Sequence, residues 1–522
     1  MNRLAATVKA MSKLERLAFY GLIAILAASI LTKFIIYTEA NSYMVGTNGG
    51  ELREGVISQP AFINPVVPVT ETDRDISQLV FSSLSDIADS IKAAPDNKSY
   101  AIRLKENAFW SDGQKLTADD IIFTIDTIQD PETRSPLYRN FQGVKAERVS
   151  ELEVKISLSN PYAFFEEDHI KNLQIIPKHI FAGVPVQNLQ YSLYGLQPIG
   201  SGPYIAKSHA SDSRGNITSL TLKANENYFG EKPKIDTITF KFYSNTDELI
   251  KAYNDGAIDS FGVSTYDPAL SKLVLRYDAH YLSSYRYYAI FINPTTAPKE
   301  LQDIKVRQAL SGLTDRANIL NKVLGGYGKI LYGPTDLSQN PSPEFDPTLV
   351  QNLNLTITVP DEPFLRDTAN LIKEEWEKAG AHVNLDIKSP KDIQENTLKN
   401  SDYSLLLFGN ITKPSQDLYA FWDSSQRFYP DQNLAFYQNT NVDSLLESYR
   451  STFDSKKRAE ILKNISDMIT NDIPAIFLYS PDYAYIGTTN LGGFNDSKSV
   501  SVASDRFSDI TNWYVTTKRV FR

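Results

Sequence analysis

Between Leu353 and Ile387 the chain carries a unit that fixes the kind of sheet it can build. Leu353, Leu355, Ile357 and Val359 alternate with polar neighbours, the period of a strand. Leu365, Thr368, Ile372, Trp376 and Ala379 then recur at helical spacing, and Gly380 ends that run. Val383, Leu385 and Ile387 alternate again. A strand, a helix and a strand in direct succession form a crossover, which returns the second strand parallel to the first and covers the sheet with a helix. The class is therefore α/β.

A second unit, Tyr100 to Thr124, reads YAIRLKENAFWSDGQKLTADDIIFT. Tyr100, Ile102 and Leu104 alternate as a half-buried strand, and Asp112-Gly113 supplies a tight turn. Thr117 and Asp120 have the spacing of a capping box, ahead of Ile121, Ile125 and Ile128 on one helical face. A further helix starts at Asp454, with Ile461, Ile465, Met468 and Ile469 inward, and runs into an apolar strand from Ile473 to Tyr479.

At 522 residues the chain is too long for one ordinary core, and two or three lobes are expected. A net charge of −9 argues against nucleic-acid binding, which needs a basic surface. Cysteine is absent, so disulfides, thiolate metal sites and a cysteine nucleophile are excluded. Arg3, Lys9, Lys13 and Arg16 precede an apolar run from Leu17 to Tyr37, broken only by Lys33. That run is close to the roughly 20 residues that span a bilayer. Its basic flank predicts a cytoplasmic tail over 1–16, an anchor over 17–37 and an exported body. Residues 38–49 read as a flexible stalk. Cleavage of a signal peptide after Thr38-Glu39-Ala40 is the competing reading, although signal h-regions are shorter, about 7–15 residues.

The five histidines (His169, His179, His209, His280 and His382) lack metal-ligand spacing, and no phosphate loop or nucleophile elbow occurs. Gly200-Ser201-Gly202 is followed by Pro203, which removes a donor from any phosphate cradle. Glu166-Glu167-Asp168 reads as a solvated acidic face. These observations predict no enzyme activity, no metal and no cofactor.

Motifs along the chain resemble those of the family 5 solute-binding proteins, the extracytoplasmic receptors of ABC importers for oligopeptides, nickel and other solutes. The signature at Asn107-Ala-Phe-Trp-Ser-Asp-Gly113 carries the resemblance, with Ile63-Asn64-Pro65, Pro198 to Tyr204, Asn225 to Asp236, Gly256 to Asp259, and Val306 to Leu310 followed by Asp315-Arg316. The resemblance implies a periplasmic-binding-protein-like α/β fold of type II (cluster C), three-lobed, with a ligand cleft between two lobes. It places lobe I at 50–88, 196–290 and 481–522, an inserted lobe II at 89–195 and lobe III at 291–480. The hinge then falls at crossings near Ile290 and Ser480.

The resemblance also implies where ligand binds. Asp417, Tyr419 and Trp422 match a far-lobe motif, but the acid that pairs with a peptide ammonium in relatives is missing from Gly409 to Pro414, where Lys413 stands instead. Gln59 falls where relatives carry a glutamate. Tyr285 and Tyr287 from the cluster Tyr285 to Tyr288, and Tyr479, are further cleft candidates, since aromatic side chains suit varied ligands. The expected function is capture of a short peptide or peptide-like solute by lobe closure and its delivery to an ABC permease and ATPase. The receptor is expected to be a monomer held at the membrane by its N-terminal helix. A receptor for a non-peptide ligand or a signalling partner, and an exported cell-wall peptide hydrolase, are the alternatives.

Overall fold

A computed structural model describes residues 10–341 and 344–521; Arg3, Lys9 and Arg522 lie outside them. The two units read from the sequence form as local chemistry dictates. The strand Asn354–Pro360 pairs in parallel with His382–Lys388, and the helix Pro363–Lys378 between them buries Leu365, Thr368, Ala369, Ile372 and Trp376. The Trp376 indole donates to the Leu310 carbonyl and the Thr314 hydroxyl at 3.2 and 3.1 Å. Strand Ser99–Leu104 buries Tyr100, Ile102 and Leu104 in alternation. Helix Ala118–Gln129 starts where the Thr117 amide donates to Asp120 Oδ2 at 2.9 Å.

Three sheets organise the body. In the first, seven strands run in the order 278–282, 483–487, 260–263, 51–57, 237–243, 217–224 and 204–211. The inserted sheet orders 88–93, 99–104, 153–157 and 145–150. The far sheet orders 328–330, 475–481, 286–292, 405–411, 354–360 and 382–388. The first and inserted lobes share one continuous hydrophobic core, whereas the far sheet has cores of its own on its two faces. Gly200 and Gly202 make the join between the first two lobes possible. A Cβ on either would lie 2.0 or 2.5 Å from the Val80 or Leu79 carbonyl oxygen, so only glycine allows this approach to the helix Glu71–Val80.

The chain passes between the first and far sheets at Ser283–Tyr285 and at Asp482. Ile290 is not at a crossing: it sits fully buried in strand Arg286–Ile292, paired on both sides within the far sheet. Ser480 does lie beside one, and its hydroxyl donates to the Ser284 carbonyl of the other at 2.9 Å.

The stalk expectation is also corrected. The N-terminal helix runs Lys13–Ala40, longer than the anchor read from hydropathy, with no residue buried by protein. Ser42–Thr47 then pairs antiparallel with Thr516–Phe521, so a two-stranded ribbon replaces the flexible segment. Its partner strand lies at the opposite end of the sequence, beyond the reach of any local pattern.

Candidate functional site

Between the first and far lobes lies a cleft of about 760 Å³. Strand parity decides which far-lobe side chains reach it. Along Arg286–Ile292, Tyr288, Ile290 and Ile292 join one core and Tyr287, Ala289 and Phe291 the other. Arg286 and Tyr288 line the cleft. Tyr288 lies across Gly409, where a Cβ would sit 2.6 Å from its ring.

Backbone edges reach the cleft from both sides. Strand Leu405–Ile411 pairs along its length with Arg286–Ile292 but meets Asn354–Pro360 only at Leu405 and Leu406. Beyond Leu406 its second edge is unpaired in the sheet, and Phe408, Gly409 and Ile411 line the cleft. On the first lobe, Ser260 and Phe261 pair with Glu54 and Gly55, after which the two strands part. Gly262 and Val263 on one side, and Val56 and Ile57 on the other, flank the opening.

The cleft is acidic. Glu71, Asp267, Glu362 and Asp367 line it, with Arg286 as the opposing cation. Burial pushes the Glu362 carboxyl up, Asp361 adds to this, and Arg366 opposes it. Arg506 also borders the cleft but is committed elsewhere. It is bidentate to Asp75 at 2.8 and 2.7 Å and donates to Glu54 at 3.0 Å. Burial opposes its charge, and the carboxylates of Asp75 and Glu54 hold it ionised. Ser260 and Tyr485 donate to the remaining Glu54 oxygen at 2.5 and 2.9 Å. The cluster is internally satisfied, which is what a buried ionic group requires.

A larger chamber of about 1190 Å³ opens between the inserted and far lobes and meets the cleft at Ile411. Its walls are held together across the lobes. Tyr162 donates to Asp417 Oδ2 at 2.8 Å. Arg450 Nε stands 3.1 Å from the same oxygen, off the line of a hydrogen bond. The guanidinium lies over the Tyr162 and Tyr419 rings, 4.7 and 4.5 Å from their centroids. Ser415 donates to Asp168, Lys413 donates to the Asp168 carbonyl at 3.0 Å, and Arg139 pairs with Asp431. Phe164 leaves its own lobe to join the far-lobe core, 4.9 Å from the Tyr449 ring. Burial lowers the Lys413 pKa, with Asp168 and Asp417 opposing. Burial also pushes His169 down to about 3, with Lys413 and Arg450 adding to it.

The residues expected at the ligand site divide accordingly. Asp417 and Tyr419 line the chamber, but both are engaged with Arg450 in this latch. Trp422 is fully buried against Phe291, Tyr437 and Phe477, and Tyr479 is fully buried with its hydroxyl on Thr368 at 2.8 Å. Tyr287 faces the same core as Trp422 and accepts from Asn410 at 3.0 Å. Burial pushes the Tyr287 and Tyr479 hydroxyl pKa values up. All three are packing residues, because an aromatic on the inward parity of a central strand or helix turn is worth more buried than offered to solvent. Tyr285 sits in the first crossing, its amide on the Val500 carbonyl and its carbonyl accepting from the Thr412 amide, and borders neither cavity. Gln59 is exposed and accepts from the Ile217 amide at 2.5 Å, also outside both cavities. Arg286 and Tyr288 were missed by one position. The signal was Arg286, the one charge on a strand of apolar residues, which marks the end of the strand that opens on the cleft. Among the described residues, no group of three or more acidic or histidine side chains is placed to hold a metal ion.

Two α/β lobes joined by two short crossings, closing on a cleft edged by free strand backbone, define an interlobe ligand-binding protein. Residues 84–353 match the bacterial extracellular solute-binding proteins, family 5 (middle region). The chain belongs to that family. It is 26% identical over 492 residues to the oligopeptide-binding protein AppA of Bacillus subtilis, covering 85% of this chain and 89% of AppA. Among solved structures, the ABC transporter substrate-binding protein CtaP of Listeria monocytogenes superposes with a TM-score of 0.77 at 26% identity, over 90% of this chain and 99% of CtaP. AppA of Bacillus subtilis in complex with a nonapeptide superposes at 0.73 with 24% identity, over 90% and 100% of the two chains.

Proposed function

We propose that the protein is the membrane-held substrate-binding component of an ABC importer, closing its first and far lobes on an extended peptide and passing it to the permease. The unpaired edge of Leu405–Ile411 carries this reading. An extended peptide adds to such an edge as a further strand, so main-chain hydrogen bonds supply affinity regardless of sequence. The parted strands at Val56 and Val263 offer a second grip from the first lobe. Contacts to both lobes exist only when the cleft is closed, so ligand shifts the population toward closure. The relatives named for oligopeptides support the same ligand class.

Retention of the N-terminal helix belongs to this proposal. The helix Lys13–Ala40 carries the apolar run Leu17–Tyr37 with no residue buried by protein, and that run is long enough to cross a bilayer. The alternative cleavage site, Thr38 to Ala40, is helical and lies two residues from the first ribbon pair, which argues for an intact chain. Intact mass from the native membrane tests this, and a mature chain starting at Asn41 would refute it.

Calorimetry with a peptide mixture and its N-acetylated counterpart tests the ligand class. Backbone recognition predicts binding of both. The free amino terminus should gain no more than about fivefold from Glu71 and Glu362, because solvent-exposed ion pairs contribute about 0.2–1 kcal/mol. Failure of every peptide to bind overturns the peptide reading. An absolute need for the free terminus transfers the recognition from backbone to charge.

A further inference from the structure

The ribbon Ser42–Thr47 and Thr516–Phe521 begins one residue after the apolar helix ends. The joint is stiff: the Asn41 amide and side chain both donate to the Tyr37 carbonyl, at 3.0 and 2.8 Å, and the Ser42 hydroxyl donates to the Thr38 carbonyl. The upper end is tied to the body, where the Gly49 amide donates to the Lys234 carbonyl at 2.8 Å and Gly46 packs against the Tyr514 ring. Residues 38–40 rise only about 4.5 Å above Tyr37 at the helical rise. The headgroup layer of one leaflet is about 5–8 Å deep. The lowest pair, Ser42 with Phe521, and the next, Tyr43 with Val520, therefore stand at the outer edge of that layer.

The side chains there are unusual for a protein–water surface. Tyr43, Met44 and Phe521 are 50, 53 and 58% exposed. Lys518 and Arg519 lie exposed just above. Aromatic residues are enriched at the headgroup level, and basic residues within a Debye length of an outer leaflet that holds anionic lipid are drawn to it. Lys518 and Arg519 put two cations beside the outer end of the helix although the chain as a whole is acidic, with a net charge of −9.

We propose that this ribbon is a foot on the outer face of the membrane, with Phe521 and Tyr43 at the outer edge of the headgroup layer and Arg519 and Lys518 facing its anionic surface from just above. The inference rests on retention of the anchor. The foot fixes the height and tilt of the cleft above the bilayer, where a disordered tether of the same length leaves both free.

The absence of cysteine makes a clean test possible. Full-length Phe521→Cys and Thr517→Cys proteins, each carrying a nitroxide, are reconstituted in vesicles of phosphatidylglycerol with phosphatidylcholine and in phosphatidylcholine alone. Accessibility to dissolved oxygen and to a water-soluble nickel chelate is then measured. The expected result is a several-fold lower nickel-to-oxygen accessibility ratio at 521 than at 517, larger in the anionic vesicles and reduced there by Lys518→Gln with Arg519→Gln. Equal, water-like accessibility at both positions in protein of full intact mass overturns the foot and leaves the anchor standing. Freely tumbling labels at both positions overturn it as well. Removal of residues 1–40 in the native membrane, read from mass, instead overturns the anchor reading beneath it.

Discussion

Replacing Phe164 by alanine should open the receptor without unfolding it. Phe164 is 5% exposed, yet its neighbours Tyr449 and Arg458 belong to the far lobe, the Arg458 guanidinium lying 5.2 Å over its ring. The inserted lobe shares its core with the first lobe, so any motion that widens the cleft also pulls Phe164 out of the far-lobe core. Burying a phenylalanine side chain contributes about 1.5–3 kcal/mol, and truncation removes most of that from the closed form. A loss of about 2 kcal/mol shifts the balance of closed to open about 30-fold toward open. Energy transfer between dyes on Lys155→Cys and Lys457→Cys, exposed sites on the inserted and far lobes, should report the wider separation. Apparent peptide affinity should fall with the closed fraction. Adding Asp417→Asn should cost less than it does alone, because both substitutions undo one latch. An unchanged distance distribution together with unchanged affinity would refute the latch, and a collapse in thermal stability would mean that Phe164 serves the fold and not the closure.

Gly409→Ala should weaken peptide binding by tenfold or more and lower urea stability by about 1–3 kcal/mol, since the new methyl displaces the buried Tyr288 ring at the cleft edge; binding within twofold of the parent would contradict this. Acid should open the latch. His169 is held neutral down to about pH 3, whereas an exposed imidazole titrates near 6.5, so the open form binds the extra proton between these values. Opening removes Lys413 and Arg450 from His169 while Phe141 and Phe165 stay with it, so its pKa rises on opening and falling pH favours the open form. Asp168, raised by burial, works in the opposite sense as it takes up its own proton. The same dye pair should show opening between pH 7 and 5, and His169→Gln should abolish it. Arg506→Met leaves Glu54 and Asp75 buried without their cation, so urea denaturation should show a loss of about 3–5 kcal/mol.

The elements legible in the sequence were those whose partners are near in the chain. The crossover over 353–387 and the capped helix after Thr117 formed where periodicity and capping placed them, since both depend on residues within a few turns. The latch was illegible for the opposite reason: Tyr162 and Asp417 are 255 positions apart and no local rule pairs them. Family motif and aromatic content pointed to Trp422 and Tyr479 as ligand contacts, but the same apolar area that suits a ligand also suits a core. A helix turn puts Trp422 against Phe291, and a bulge after Phe477 turns Tyr479 to the same side as Ile476, so both went to the core. Ser42–Thr47 resembles a polar linker until its far partner is known.

The ribbon also sets an order of events during export. Its strands Ser42–Thr47 and Thr516–Phe521 stand far apart in sequence, so Ser42 cannot meet Phe521 until the residues between them have been made and exported. Lobes fold as units while synthesis and translocation proceed, and zipping the termini together comes after them. A chain cut short by a stop codon or a protease before Thr516 can complete its lobes and still lack this last pairing. It then leaves the edge of Ser42–Thr47 bare, the kind of edge that surveillance proteases and aggregating neighbours recognise. Closing the ribbon thus requires both distant strands to have arrived.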